Sequence, residues 1–334
     1  MVQTGMQRAL GHRLRRFLGR ALGNRLKAFF AGLGVTALLQ SSTATGLMAA
    51  GFAAEGLVSL SPALAAMLGA NVGTTLIVQV LSFDVVVIAP ILILGGVVMF
   101  RTSKTAMKDI GRMLIGLGLL LLALHQFLTL LAPLTADPMA QDLLARMSRH
   151  IVFIVLVSAV LAWAAHSSVA IVLLAMSLAG NGAIPATAAI AIVLGANLGS
   201  AINPVLEGAR GPAGRRLPVG NLINRGIGVL AVLVAFPFFG REMANVGFGP
   251  ERAVANFHTI FNLVLALAFL PLTPWIAKAL EKLLPARAAQ DAPGAPLYLD
   301  PAALETPALA LGAAKREALR LADGLEDMLN GLRT

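Results

Sequence analysis

The sequence predicts an all-α polytopic membrane protein, built from inverted repeats that contain re-entrant or broken helices. Hydrophobic residues occupy 57% of the 334 positions and charged residues only 13%, whereas a soluble domain has about 45–50% apolar and about 25% charged residues. The apolar residues are concentrated in runs close to the roughly 20 residues that a spanning helix needs. These runs are 83–100, 113–133, 151–180, 217–240 and 253–277.

The charge distribution predicts a multi-pass protein of the inner membrane. The net charge is +10, but the basic residues lie beside the apolar runs, which is typical of cytoplasmic loops rather than of nucleic-acid binding. The basic N-terminal stretch lacks a short apolar core ending at a cleavage site, so it is not a secretory signal. The chain has no cysteine, which excludes disulfides and thiolate metal sites.

An internal repeat becomes visible when the sequence is shifted by 126 residues, because Gln40–Val78 then aligns without gaps on His166–Pro204. Fourteen of the 39 pairs are identical. Six of these are alanines, which are common in such a chain, but the polar and glycine matches are more informative. They include Ser41/Ser167, Ser42/Ser168, Gly69/Gly195, Asn71/Asn197 and Gly73/Gly199. Matching interrupted segments in two halves point to the binding site of a secondary transporter.

The loop charges predict that the two repeats have opposite orientations. The N-terminal stretch and the loop 101–112 are both basic and are expected on the cytoplasmic side. Three apolar segments, about 28–53, 62–82 and 83–100, separate them, and three full crossings would place the loop outside. One segment must therefore enter the membrane and return, and the Ser-bearing segment is the candidate.

Five parts of the chain follow from this scheme. They are a basic N-terminal segment 1–27, a first repeat 28–133, an outer loop 134–150, a second repeat 151–280 and a cytoplasmic segment 281–334. Another spanning helix is expected ahead of Val2. The cytoplasmic segment consists of a Pro- and Ala-rich linker, followed by an amphipathic helix over 308–332.

The first polar signature is Gln40-Ser41-Ser42-Thr43, with His166-Ser167-Ser168 as its copy. Irregular backbone at membrane depth must be buried in protein or line a cavity. Freed carbonyls and hydroxyls offer oxygen ligands to a hard cation, and helix N-termini offer N–H groups to an oxyanion. Small polar residues also pack membrane helices together, but two clusters with one spacing favour an ion site.

The second signature is Gly69-Ala70-Asn71-Val72-Gly73-Thr74, repeated as Gly195-Ala196-Asn197-Leu198-Gly199-Ser200. Glycines on both sides of an asparagine predict a helix break with close backbone approach. The candidate site residues include Asn71, Thr74, Asn197 and Ser200. Transported sodium is assigned to Gln40, Ser42, Asn71, Ser168 and Asn197, and a Gly-rich packing face is the alternative.

His166 is also a candidate site residue, and further ionisable or polar residues in the apolar runs are functional candidates by default. His166 binds phosphate, senses protons or satisfies a neighbour. His258 and Asn262 are expected to form structural hydrogen bonds, and Glu55 is a turn residue. Arg225 either extends to the membrane surface or contacts phosphate.

The chain resembles the type II sodium–phosphate cotransporter family over about 25–280. The motifs that carry this resemblance are Gln-Ser-Ser at 40–42, its copy at 166–168, the two Gly-Ala-Asn motifs and the His-Thr-Ile-Phe-Asn stretch at 258–262. The resemblance implies sodium-coupled import of phosphate by alternating access, with Gln40, Ser41, Ser42, Thr43, Ser167 and Ser168 lining the site. His166 replaces the second Gln of the family, and Thr43 and Val169 replace its third Ser. Bacterial members often have a PhoU-like helical domain after the last span, and the helix 308–332 resembles its start. A tail helix without a specific role and a self-association helix are the alternatives.

Secondary transport of phosphate is therefore the leading hypothesis. The partners are phosphate, sodium as coupling ion and the lipid bilayer, with no resident cofactor and no nucleic acid; a homodimer is left open. The rivals are a carrier or exporter of phosphate or another small oxyanion, and a membrane scaffold that has lost transport. An enzyme is not expected, because neither paired carboxylates nor a zinc-binding helix motif occurs.

Overall fold

Helices account for the regular structure of the chain in this computed structural model, within the residues that it describes. Those are 17–54, 56–82, 88–102, 105–137, 139, 150–207, 211–245, 249–285, 298 and 307–331. The first half has α1 (Arg25–Leu39), α2 (Ser42–Ala54), α3 (Leu60–Leu81), α4 (Ala89–Arg101) and α5 (Thr105–Ala136). No strand occurs in the described ranges, so the all-α prediction is confirmed.

The second half has α6 (Ile151–Ala164), α7 (Ser168–Gly180), α8 (Ala186–Glu207), α9 (Pro212–Ala244), α10 (Pro250–Phe269) and α11 (Thr273–Leu283). Four described helices are long and apolar enough to span a membrane: α3, α8, the Pro212–Gly240 part of α9, and α10. Such a set is that of a polytopic membrane protein.

The repeat seen in the sequence is also a structural repeat. Each bound of α2 and α3 reappears 126 residues later as a bound of α7 and α8. Gln40 and His166, which precede α2 and α7, have left-handed backbone with φ of 54° and 51°. The turn glycines Gly56 and Gly182 have φ of 71° and 70°. The chain therefore follows the same path twice, whereas the opposite orientation of the repeats in a membrane stays a prediction.

The first break folds the chain back into a helical hairpin. Thr36 of α1 donates a hydrogen bond to Thr45 of α2, with 2.8 Å between their hydroxyl oxygens. Nine residues would span about 13.5 Å in a continuous helix, so the two helices must lie side by side. At the other end of the hairpin, Phe52 belongs to the same buried cluster as Ala28.

The second break produces an equivalent hairpin from α6 and α7. Leu161 and Ile171, five residues before and after His166, line one apolar cavity of about 170 Å³. Each helix of the two hairpins has between 13 and 15 residues, or about 20–23 Å, which is less than the ~30 Å hydrocarbon core. Two short helices that fold back on each other are the geometry expected of a Ser-bearing segment that enters the membrane and returns.

The predicted helix break at the Gly-Ala-Asn signatures is wrong, because α3 and α8 run through them without interruption. The close approach is confirmed. A Cβ on Gly69 would overlap the carbonyl oxygen of Phe29, and one on Gly73 would lie 2.6 Å from the carbonyl oxygen of Leu33. In the second repeat, Gly195 and Gly199 lie in the same way against the backbone of α6. The glycines thus bring each hairpin onto the long helix of its repeat.

The last predicted helix is divided in two, and two other predictions fall partly or wholly outside the described residues. The apolar run 253–277 is divided into α10 and α11 by a turn at Leu270–Leu272, where Pro271 and Pro274 interrupt the helical hydrogen bonding. The helix predicted over 83–100 is described from Ala89. Glu55 lies outside the described residues.

The chain divides into two compact units, Met1–Ala286 and Arg287–Thr334. The second contains α12 (Pro307–Gly331), within one residue of the predicted amphipathic helix. Its Glu317 accepts the Tyr298 N–H at 2.8 Å and pairs with Arg320 at 2.6 Å. The apolar side chains Leu321, Leu325 and Met328 are exposed.

Candidate functional site

Two serines cap the helices that start at the hairpin breaks. Ser41 Oγ accepts the Ala44 N–H at 3.1 Å, and Ser167 Oγ accepts the Ala170 N–H at 3.2 Å. A side-chain oxygen on the N–H three residues ahead is the hydrogen bond of an N-cap. The N-termini of α2 and α7 are thereby fixed at equivalent positions, and the partial positive charge of a helix N-terminus attracts an anion.

The predicted residues at the two breaks differ in burial. Ser41, Ser42 and Ser168 are buried, and Gln40, Thr43 and Ser167 are half-buried. His166 is exposed, and its Nδ1 lies 3.0 Å from Glu207 Oε1. Of the roles considered for His166, the structure shows the pairing with a neighbour.

The first hairpin break lies at the level of Asn71. Because the connection between α2 and α3 is short, these helices are antiparallel neighbours, and Gly46 of α2 lies against the sulfur of Met67 on α3. Ser42 lies one turn before Gly46 on α2, and Asn71 lies one turn after Met67 on α3. Because the helices are antiparallel, both steps lead in the same direction, so Ser42 and Asn71 lie at one level. By the repeat, Ser168 lies at the level of Asn197.

A buried arginine occupies the centre of this level. Arg225 of α9 is only 2% exposed. Its Nη1 donates to the Asn197 carbonyl oxygen at 2.6 Å and to Ser200 Oγ at 2.7 Å, and its Nη2 donates to Asn71 Oδ1 at 2.6 Å. The prediction that Arg225 extends to the membrane surface is wrong, since it lies 13 residues, or about 20 Å, from the start of α9.

Further amides extend the network to a fourth helix. Asn71 Nδ2 donates to Asn221 Oδ1 at 2.9 Å, and Asn262 Nδ2 of α10 donates to Asn197 Oδ1 at 3.1 Å. Thr74, the counterpart of Ser200, instead donates to the Ala70 carbonyl of its own helix. We call the connected set Asn71, Asn197, Ser200, Asn221, Arg225 and Asn262 the polar layer.

Several buried polar atoms in and beside the polar layer have no hydrogen-bond partner within the described part of the chain. They are Arg225 Nε, Asn224 Oδ1, His258 Nδ1 and Asn262 Oδ1. The structural hydrogen bond predicted for His258 is made by its backbone carbonyl, which accepts from Asn262 Nδ2 at 2.9 Å. Among the described residues, no carboxylate forms a salt bridge with Arg225, so neutral oxygens alone hold its charge.

Sequence reasoning placed Asn71, Asn197 and Ser200 in the site and weighed a phosphate contact for Arg225, but it left out Asn221 and gave Asn262 a structural role. A signal was present, because Asn221, Asn224 and Arg225 are spaced by three and four residues and so share one face of a helix. An ionisable residue inside an apolar run is also a functional candidate by default.

Comparison with known proteins gives matches over most of the chain. A family model described as Na⁺/Pi-cotransporter matches residues 1–129 and 132–270. The provisionally named inorganic phosphate export protein YjbB of Escherichia coli K12 is 38% identical over 334 residues, and that of Salmonella typhimurium LT2 is 38% identical over 335 residues. These matches cover 99% and 100% of the chain, which spans 62% of the length of both relatives.

A more distant relative is the uncharacterised protein YqeW of Bacillus subtilis 168. It is 31% identical over 262 residues, which is 78% of the chain and 85% of YqeW. No solved structure matches the chain.

Proposed function

The chain belongs to the Na⁺/Pi-cotransporter family, and from this premise we propose that it carries inorganic phosphate across the inner membrane by alternating access, with sodium as the coupling ion. Two hairpins with capped N-termini and a buried cation at the same level support a substrate site in the middle of the bundle. Midplane sites between repeats are typical of secondary transporters.

The observation that carries the proposal is the buried charge of Arg225. An unpaired cation in a medium of low dielectric constant is costly, and it is retained where it pairs with a ligand or a counter-charge. Neutral oxygens hold Arg225 in this structure. A phosphate ion would supply the missing negative charge, and the planar guanidinium suits an oxyanion through paired hydrogen bonds.

The hairpin breaks supply the remaining contacts of the proposed phosphate site. The first N–H groups of α2 and α7 have no carbonyl partner within their own helix, and hydroxyls of Ser42, Thr43 and Ser168 stand beside them. We assign phosphate to the space between these N-termini and Arg225.

Sodium coupling is proposed from the oxygen atoms at the same level. The left-handed residues Gln40 and His166 interrupt the helical hydrogen bonding of the hairpins, which leaves backbone carbonyls for a hard cation. Ser42 and Ser168 add hydroxyl oxygens, whereas the amide oxygens of Asn71 and Asn197 already accept hydrogen bonds from Arg225 and Asn262. A cation bound near phosphate would offset part of its charge, which links the two ions energetically.

Flux of radiolabelled phosphate into proteoliposomes tests the proposal. We expect accumulation that requires a sodium gradient. Arg225→Gln should lower the rate by about 100-fold, because removing one partner of a buried charge pair costs roughly 2–5 kcal/mol. The matched control is Arg215→Gln, on an exposed position of the same helix, and it should transport normally.

The other outcomes separate the rivals. Equal uptake with and without the gradient would contradict sodium coupling. No phosphate flux in the wild-type protein would contradict transport and favour a scaffold. Competition by sulfate as strong as that by arsenate would point to a general oxyanion carrier.

Export is the second candidate for the direction of transport, and the provisional name of the YjbB relatives favours it. Cells that express the chain and are preloaded with labelled phosphate would then lose the label faster than control cells. Retention of the label together with faster uptake would contradict export.

A further inference from the structure

The Arg225 guanidinium joins equivalent positions of the two repeats. Asn71 and Asn197 are 126 residues apart and correspond in the alignment. Nη2 of Arg225 binds the first, and Nη1 binds the backbone of the second. One side chain on α9 therefore connects α3 with α8, which are the long helices of the two hairpin units.

The two asparagines are connected to Arg225 in different ways. Asn71 uses its side-chain oxygen, and its own Nδ2 is held by Asn221, so Oδ1 points at the guanidinium. The side chain of Asn197 is engaged elsewhere, with Nδ2 on the Val193 carbonyl and Oδ1 on Asn262. Of the two asparagine contacts with Arg225, only that of Asn71 can therefore be removed by changing the asparagine side chain.

Arg225 Nη2 is held by an uncharged acceptor, which an anion can replace. Both hydrogen bonds have the charged guanidinium as donor, but an anion adds the attraction between opposite charges and can accept from the planar guanidinium through paired bonds. A bound oxyanion at Arg225 would therefore take Nη2 from the amide oxygen of Asn71. The hydrogen bond between Arg225 and Asn71 would therefore break when phosphate binds.

From this geometry, and resting on the proposed function, we infer that the Asn71–Arg225 hydrogen bond is a latch between the first repeat and α9, which phosphate must open in order to bind Arg225. Asn71 is a positioning residue in this scheme, acting on the substrate through Arg225. A protein in which the latch is closed for most of the time binds phosphate with reduced apparent affinity, because only the open fraction is competent.

Two substitutions of Asn71 test the latch, because they should change the phosphate KM in opposite directions. Asn71→Asp places a permanent carboxylate on Arg225 and should raise KM about tenfold, by strengthening the closed state. Asn71→Ser is too short to reach Arg225 and should lower KM about threefold or more. Its hydroxyl can bond to the carbonyl of its own helix, as Thr74 does with Ala70.

The matched control is Thr75→Val on the same helix. The buried Thr75 hydroxyl bonds only to the Val72 carbonyl in the described structure, so the phosphate KM should stay within twofold of the wild-type value. Phosphate-dependent thermal stabilisation of purified protein, measured on all four proteins, gives a second readout that does not need transport. It should be weakest for Asn71→Asp and strongest for Asn71→Ser.

Each outcome decides the inference. Shifts of KM in the same direction for both Asn71 variants, or no shift in either, would overturn the latch while wild-type flux leaves the proposed function standing. A wild-type protein with neither phosphate flux nor phosphate-dependent stabilisation would overturn the proposed function, and the latch with it.

Discussion

At the scale of single residues, burial distinguishes between the roles that an ionisable side chain can have. Arg225 and His166 are both ionisable residues beside or within apolar runs. Arg225 lies 2% exposed among amide and hydroxyl oxygens, whereas His166 is exposed and pairs with Glu207. The sequence ranked His166 above Arg225, because the repeat alignment marked position 166 and gave no signal for position 225.

His166→Ala should therefore change transport little. An exposed contact between two polar side chains contributes at most about 1 kcal/mol, so we expect the phosphate KM and the unfolding temperature to stay close to those of the wild-type protein. Uptake kinetics and a thermal melt measure both. Glu207→Gln is the matched control, since it removes the same pair from the other side. A KM increase above about tenfold in His166→Ala alone would show that the imidazole contacts an ion.

At the scale of elements, local signals in the sequence located the hairpin breaks, whereas the role of the glycine signatures became clear only from the tertiary structure. A serine N-cap and a left-handed residue are local features, so the repeated Ser signature located both breaks correctly. The glycine signatures were ambiguous, since a glycine serves a helix break or a close contact equally well. The tertiary structure distinguishes the two roles. The backbone of α1 packs against Gly69 and Gly73, and α3 continues through both glycines.

Gly69→Ala and Gly195→Ala should each destabilise the protein by about 1–3 kcal/mol, because the added methyl group would overlap a backbone carbonyl of the hairpin helix. Thermal unfolding in detergent measures the loss. Gly34→Ala is the matched control, since a Cβ there meets nothing within 4 Å and alanine favours a helix. Equal stability of all three variants would contradict the close packing.

At the scale of the whole molecule, the repeat is established by sequence and structure, and its orientation in the membrane is still a prediction. The helix bounds recur at one spacing, and each long helix carries an asparagine that reaches Arg225 through its side chain or its backbone. Loop charges predict the orientation by a different physical effect, the retention of Lys and Arg on the cytoplasmic side.

The absence of cysteine from the chain makes single-cysteine labelling a direct test of that orientation. Ser103→Cys should react with a membrane-impermeant thiol reagent only from the cytoplasmic side, and Asp137→Cys only from the outside. α5 lies between them and has 32 residues, which is about 48 Å and more than enough to cross the bilayer. Labelling of both from one side would contradict the inverted repeat.

The sequence by itself determined the fold class, the repeat, the two hairpin breaks and three members of the polar layer, because composition, capping and spacing act locally along the chain. Tertiary structure alone decided that α3 and α8 continue through their glycines and that Arg225 lies at the centre of the site. The burial and the hydrogen bonds of an arginine depend on the side chains packed around it. Asn71, Ser200 and Asn197 come from helices far apart in sequence, and only their packing against α9 brings their oxygens to one guanidinium.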